Sequence, residues 1–155
     1  DKRVNHIIEK LNYYGYSGDR VKGLVFCSSK REAQILSDAF NSRGFRTTSL
    51  TGEDGQEKRE KEIEKLIADS GDILDYIFTV DIFNEGIDIP EVNQVVMLRP
   101  TQSAIIFIQQ LGRGLRKNKG KDFVVIIDFI ANYKNNFLII SYSLSLKTLR
   151  YFEFV

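Results

Sequence analysis

An α/β fold built on a mainly parallel central sheet is what this sequence predicts, on three observations. Short apolar runs rich in Val, Ile and Phe recur along the chain. Between them lie segments whose apolar residues fall at helical spacing. Small or turn-forming residues such as Ser28, Ser29 and Gly52 stand directly after the runs. Alternation of this kind argues for about five parallel strands covered by helices on both faces.

In chain order, residues 2–14 carry Val4, Ile7, Ile8 and Leu11 on one helical stripe, and Gly15 and Gly18 break the pattern. Lys22-Gly23-Leu24-Val25-Phe26-Cys27 reads as a first buried strand. Ser29 followed by Glu32 fits a capping box opening a helix with Ala33, Leu36, Ala39 and Phe40 on its apolar face. Residues 47–50 form a short strand, and Thr51-Gly52-Glu53 a turn. A strongly charged helix over 56–67 shows Ile63, Leu66 and Ile67 as its apolar stripe. Strands follow at 75–80, 94–98 and 123–128, with a helix opening at Pro100 and Thr101 and running to about Leu111. The apolar stretch 137–149 reads as a helix on the domain edge.

At 155 residues the chain fits one domain. The 22 Lys and Arg against 21 Asp and Glu leave a formal charge of +1, which argues against wholesale electrostatic capture of nucleic acid and leaves local patches. A lone Cys27 excludes an internal disulfide, so a reducing, cytoplasmic setting is expected. A lone His6 leaves little for a zinc centre or a His-based triad, and no metal site is expected. No apolar run reaches the roughly 18–20 residues that cross a bilayer. With Asp1-Lys2-Arg3 at its start, the chain reads as a fragment of a longer protein.

On an open parallel sheet, ligands bind beyond the carboxyl ends of the strands. The strongest chemical signal is Gln109-Gln110-Leu111-Gly112-Arg113-Gly114-Leu115-Arg116. Gln109 and Arg113 share a face if helical, and Gly112 and Gly114 are expected to end the helix. Two guanidinium forks together suit a phosphate with developing charge, or else neighbouring surface acids.

The Q-x-x-G-R-x-x-R pattern resembles motif VI of superfamily 2 DEAD/DEAH-type helicases, and other segments fall into register with it. The strand at 23–27 with Ser28-Ser29 resembles motif IV, and Asn84-Glu85-Gly86-Ile87-Asp88-Ile89-Pro90 resembles motif V. F-N-E-G-I-D-I-P and Q-L-G-R-G-L-R-K are closest in flavour to type III restriction subunits and DNA repair helicases. The resemblance covers roughly residues 23–133. It implies a RecA-like three-layer sandwich, the second of two lobes that clamp ATP.

By that resemblance, Arg113 and Arg116 would reach the γ-phosphate, with Gln109 positioning the contact. Gly86 and Asp88 would touch the nucleotide. ATP and Mg²⁺ would be held mainly by an N-terminal RecA-like domain of the same chain. Ser28, Ser29 and Lys30 stand where a strand yields to a helix N-terminus, whose free N–H groups attract phosphate; simple capping is the other reading. Many relatives carry a Thr at the place of Val80. Thr79, one residue earlier, should face the other way on a strand, so Asn84 is the expected substitute toward nucleic acid. Gln56-x-x-Arg59 echoes a pair that some relatives place near nucleic acid, and Lys117, Lys119 and Lys121 extend the basic stretch.

Nothing matches the phosphate-cradling G-x-x-x-x-G-K-[ST] loop, since Gly120-Lys121 is followed by Asp122. The isolated domain is therefore expected to be inactive, and its partners are nucleic acid, DNA ahead of RNA, and the ATP-holding lobe. The alternatives are a non-catalytic lobe that only grips nucleic acid, and a flavodoxin-like binding module.

Overall fold

The computed structural model describes residues 1–82, 89–99, 102–114, 123–129 and 148–152, with the side chains of 112–114 and 148–152 outside that description. The elements run α1 (Lys2–Tyr14), β1 (Gly23–Phe26), α2 (Lys30–Asn41), β2 (Thr47–Leu50), α3 (Gln56–Ile67), β3 (Tyr76–Thr79), β4 (Gln94–Met97), α4 (Gln102–Gly114), β5 (Val124–Asp128) and β6 (Thr148–Phe152). Among the described residues the strands form one sheet in the order β2-β3-β1-β4-β5-β6. Every pairing is parallel. The five expected strands are all present. A sixth, β6, takes Thr148 and Leu149, which the sequence pattern had assigned to the end of a helix; the remainder of that expected helix, 137–147, lies outside the described residues.

Period-2 alternation sorts the strand residues onto two faces. Leu24, Phe26, Ile77, Val95, Val124 and Ile126 point to one core, completed by Leu66 of α3 and Ala104, Phe107 and Leu111 of α4. Val25, Cys27, Tyr76, Phe78, Val96, Val125 and Ile127 point to the other, against Val4, Ile7 and Leu11 of α1 and Ala33, Leu36 and Phe40 of α2. Helix, sheet, helix is a three-layer sandwich, and the central strands are mostly apolar because both faces are covered, with Thr79 and Gln94 the buried polar residues at their ends. Gly23 is required by this packing: a Cβ there would overlap the Tyr76 ring. Among the described residues, no helix is long and apolar enough to cross a membrane.

Local chemistry sets the helix ends. Asp1 caps α1 by accepting from the Arg3 N–H at 3.1 Å. Gly15, at φ 63°, stops α1 and donates to Leu11 O at 3.0 Å, a conformation that favours glycine. Ser29 caps α2, its Oγ accepting from Glu32 N at 3.1 Å. The return arm differs from a standard capping box. Glu32 reaches past Ser29 to accept from Ser28 N at 2.6 Å and Ser28 Oγ at 2.5 Å. α4 runs on to Gly114, so Gly112 lies inside the helix rather than ending it.

Two polar devices hold the end of the sheet opposite the strand exits. Gln94, fully buried, donates to Leu11 O and Gly15 O at 3.2 and 2.7 Å and accepts from Tyr76 OH at 2.6 Å. Arg20 donates to Leu66 O at 2.6 Å, Leu74 O at 2.8 Å, Val21 O at 3.0 Å and also to Ala68 O. Its guanidinium thus satisfies the last carbonyls of α3. Arg20→Ala is expected to cost roughly 1–3 kcal/mol, the usual penalty for orphaned, partly buried acceptors. Urea denaturation checks it, and an unchanged midpoint would mean that water replaces the guanidinium.

Candidate functional site

Of the residues singled out from the sequence, Ser28, Ser29 and Lys30 stand at the carboxyl end of β1, beside the ends of β3 and β4. After β1, Ser28, Ser29 and Lys30 are all exposed. Their donors are partly committed, since Ser28 gives its N–H and its hydroxyl to Glu32. Burial works against a charged Glu32, but hydrogen bonds from Ser28 and Arg3 outweigh it and hold the carboxyl below its ordinary value. A negative charge therefore already sits on the N-terminal turn of α2, where a phosphate would approach. Lys30 pairs with Glu53 in the turn after β2. Both side chains are largely exposed, so the pair contributes little and exchanges readily for another anion.

The turn after β2 is held from below. Asp54 accepts from Thr51 N at 2.7 Å, and Arg59 donates to Gly52 O at 2.9 Å. Arg59 Nε is buried with no hydrogen-bond partner. Arg59 thus braces the turn, while Gln56 bonds Glu60 along its own helix at 2.7 Å. The Q-x-x-R spacing brings Arg59 to the site edge as a support beneath the exposed Gly52.

After β3, Thr79 is fully buried and its Oγ1 has no hydrogen-bond partner. Val80 packs among the α1 and α2 side of the core, on the opposite face, as strand alternation requires. Asp81 follows at φ 49°, a left-handed conformation that Asp tolerates better than most residues. Asn84, Gly86 and Asp88 lie outside the described residues.

After β4 comes Arg99, which sequence reasoning passed over. Its Nη1 donates to Ser28 O at 3.1 Å, and its Nη2 lies 3.4 and 3.3 Å from the two Asp81 carboxylate oxygens. Ser103, in the first turn of α4, donates to the same carboxylate at 3.3 Å. The available signal was positional: Asp81 and Arg99 each stand two residues beyond a strand.

α4 carries Gln109 and Arg113, four residues apart in one helix and so on one face. The buried face of α4 is made by Ala104, Phe107 and Leu111, and Gln109 is half-buried. Arg116, Lys117, Lys119 and Lys121 lie outside the described residues. Among the described residues, no group of three or more His, Cys, Asp or Glu side chains could hold a metal ion. Cys27 is buried, and desolvation pushes its thiol far above the ordinary range, so it packs as an apolar residue.

Exposed hydroxyls and a lysine at the N-terminus of α2, just beyond a parallel strand exit, suit recognition of phosphate groups. The model of the helicase conserved C-terminal domain matches residues 3–118. A putative ATP-dependent helicase, IRC3 of Saccharomyces cerevisiae, is 33% identical over 130 residues, covering 83% of this chain and 18% of that protein. An ATP-dependent RNA helicase, SrmB of Haemophilus influenzae, is 30% identical over 114 residues, covering 74% of this chain and 25% of that protein. The chain thus spans a quarter or less of either relative's length. The C-terminal domain of the DEAD-box protein Dbp5 superposes with a TM-score of 0.64 at 22% identity, covering 98% of this chain and 84% of that domain, a likeness of fold.

Proposed function

Because this chain belongs to the helicase conserved C-terminal domain family, we propose that it is the second motor domain of an ATP-dependent nucleic-acid helicase or translocase. The observation that carries the reading is the placement of Gln109 and Arg113 on one face of α4, in the motif that ends Arg116, within the matched residues. ATP and Mg²⁺ belong mainly to an N-terminal RecA-like domain of the same chain. Hydrolysis of ATP there supplies the free energy for movement.

This chain's residues supply the rest. Arg113 and Arg116 bring two guanidinium forks to the charge that develops on the transferred phosphoryl group, with Gln109 orienting them. Positioning and charge stabilisation suffice for such a step, so no nucleophile is required of this domain. Gly86 offers a close backbone approach to the nucleotide, and Asp88 an acceptor for its ribose hydroxyls. Engagement and release of the arginines open and close the two lobes about a hinge. Just beyond β1, Lys30 and the Ser28 and Ser29 hydroxyls meet the nucleic-acid backbone without reading sequence, and Asn84 is the further residue assigned to that contact.

DNA stands ahead of RNA in this reading, on the flavour of 83–90 and 110–117. The test is ATP hydrolysis by the full-length parent with duplex DNA, single-stranded DNA and RNA in parallel. Stimulation by duplex DNA above RNA is expected, and it should weaken steeply with added salt as phosphate contacts are screened. Stimulation by RNA alone reverses the substrate assignment. No hydrolysis under any condition replaces the motor by a lobe that only grips nucleic acid.

A further inference from the structure

We infer that Arg99 is a positioning residue, a clasp that ties the candidate nucleic-acid face to the helix bearing the candidate arginines. The inference rests on the motor reading above. Its basis is one guanidinium reaching across three strand ends. In the sheet, β1 lies between β3 and β4. Arg99, leaving β4, passes over the exit of β1, where it holds Ser28 O, and ends at Asp81 on the exit of β3. Ser103 then joins the Asp81 carboxylate to the first turn of α4.

Each attachment point leads directly to a candidate site segment. Ser28 precedes Ser29 and Lys30 at the start of α2. Asp81 stands just before 83–88, which holds Asn84, Gly86 and Asp88. Ser103 lies on the helix that carries Gln109 and Arg113. A shift of the α2 terminus, as a phosphate displaces Lys30 or Glu32 from its present partner, is therefore passed to Asp81 and the first turn of α4 through a single planar group.

The clasp contributes little to holding the fold. The Arg99 and Asp81 side chains are 31% and 46% exposed and their closest approach is 3.3 Å, so water screens the pair and little stability rests on it. Helices α2 and α4 are anchored independently by their own buried faces. What Arg99 provides is geometry: a rigid fork with donors on two sides, which a lysine ammonium on its flexible stem cannot reproduce.

The experiment uses the full-length parent and whichever of duplex DNA, single-stranded DNA or RNA stimulates wild-type hydrolysis most. Arg99→Ala, Arg99→Lys, Asp81→Asn and the double variant R99A/D81N are compared. Arg99→Ala is expected to raise the nucleic-acid concentration for half-maximal ATP hydrolysis about ten-fold, with KM for ATP moving by less than about two-fold, as for loss of a coupling between sites. Arg99→Lys should behave like Arg99→Ala, and the double variant should be no worse than Arg99→Ala, because both changes break the same link. Near-wild-type behaviour of Arg99→Lys would make Arg99 a point charge on phosphate and overturn the clasp. So would full additivity in the double variant, or a fall in thermal midpoint with all constants shifting together. If wild type shows no stimulated hydrolysis at all, the motor reading fails first, which is a different result from an unaltered Arg99→Ala.

Discussion

Alanine in place of Arg113 or Arg116 is expected to lower the stimulated ATP turnover of the full-length parent by about 10³-fold or more, the scale on which a supplied arginine acts in phosphoryl transfer. The magnitude follows from where the charge is. An arginine that meets negative charge as it builds on the phosphoryl oxygens lowers the barrier without tightening substrate binding to the same degree. Turnover should therefore collapse while KM for ATP moves little. Lysine should rescue poorly at either position, because an ammonium offers a point charge where a planar fork is needed. Because Arg113 sits within α4, its backbone direction is set by a helix whose other face is buried through Ala104, Phe107 and Leu111. Steady-state kinetics on both variants decides the matter. Hydrolysis unchanged in either one withdraws that residue from the arginine-finger assignment.

The second large effect concerns stability. Phe40→Ala is expected to cost roughly 3–5 kcal/mol, as for other fully buried aromatic side chains removed from a core. Phe40 has no solvent exposure, and its ring centroid lies 5.0 Å from Phe78, 5.1 Å from Phe45 and 5.9 Å from Tyr76. It joins α2 to β3 and to the turn before β2, so the hole it leaves has walls that belong to different elements and close poorly. For a domain of this size the thermal midpoint should fall on the order of 10 °C. Calorimetry or denaturant unfolding reads it. A loss under about 1 kcal/mol would show that the aromatic cluster rearranges to fill the space.

Much of this architecture was legible beforehand, for reasons visible at particular residues. β1 and β3 were readable because strands covered on both faces run as near-continuous apolar stretches, as 24–27 and 76–78 do. α3 was readable to the residue, since Ile63, Leu66 and Ile67 make one stripe on an otherwise charged helix and Gly55 precedes it. The inner end of α4 was not, because glycine is a local breaker only when nothing else fixes the backbone, and Gly112 follows a buried Leu111. β6 was missed because 148–152 mixes Thr, Arg and aromatics with no clean period, and its strand state comes from pairing with β5.

Residue order alone carries the alternation of strands and helices, the two apolar faces, and the set of motifs whose order places the chain in its family. Those are properties of spacing, and spacing survives without coordinates. Which distant side chains meet was settled by the packed fold. Nothing local brings Arg99 over β1 to Ser28 and on to Asp81, or ties Lys22 to Asn93. The physical reason is that the sheet order is not the chain order: β1 lies between strands that follow it, so residues dozens of positions apart become neighbours at the strand ends. Hydrogen bonds made there depend on which strands pair, a choice made by burial of the whole core rather than by any residue's immediate sequence.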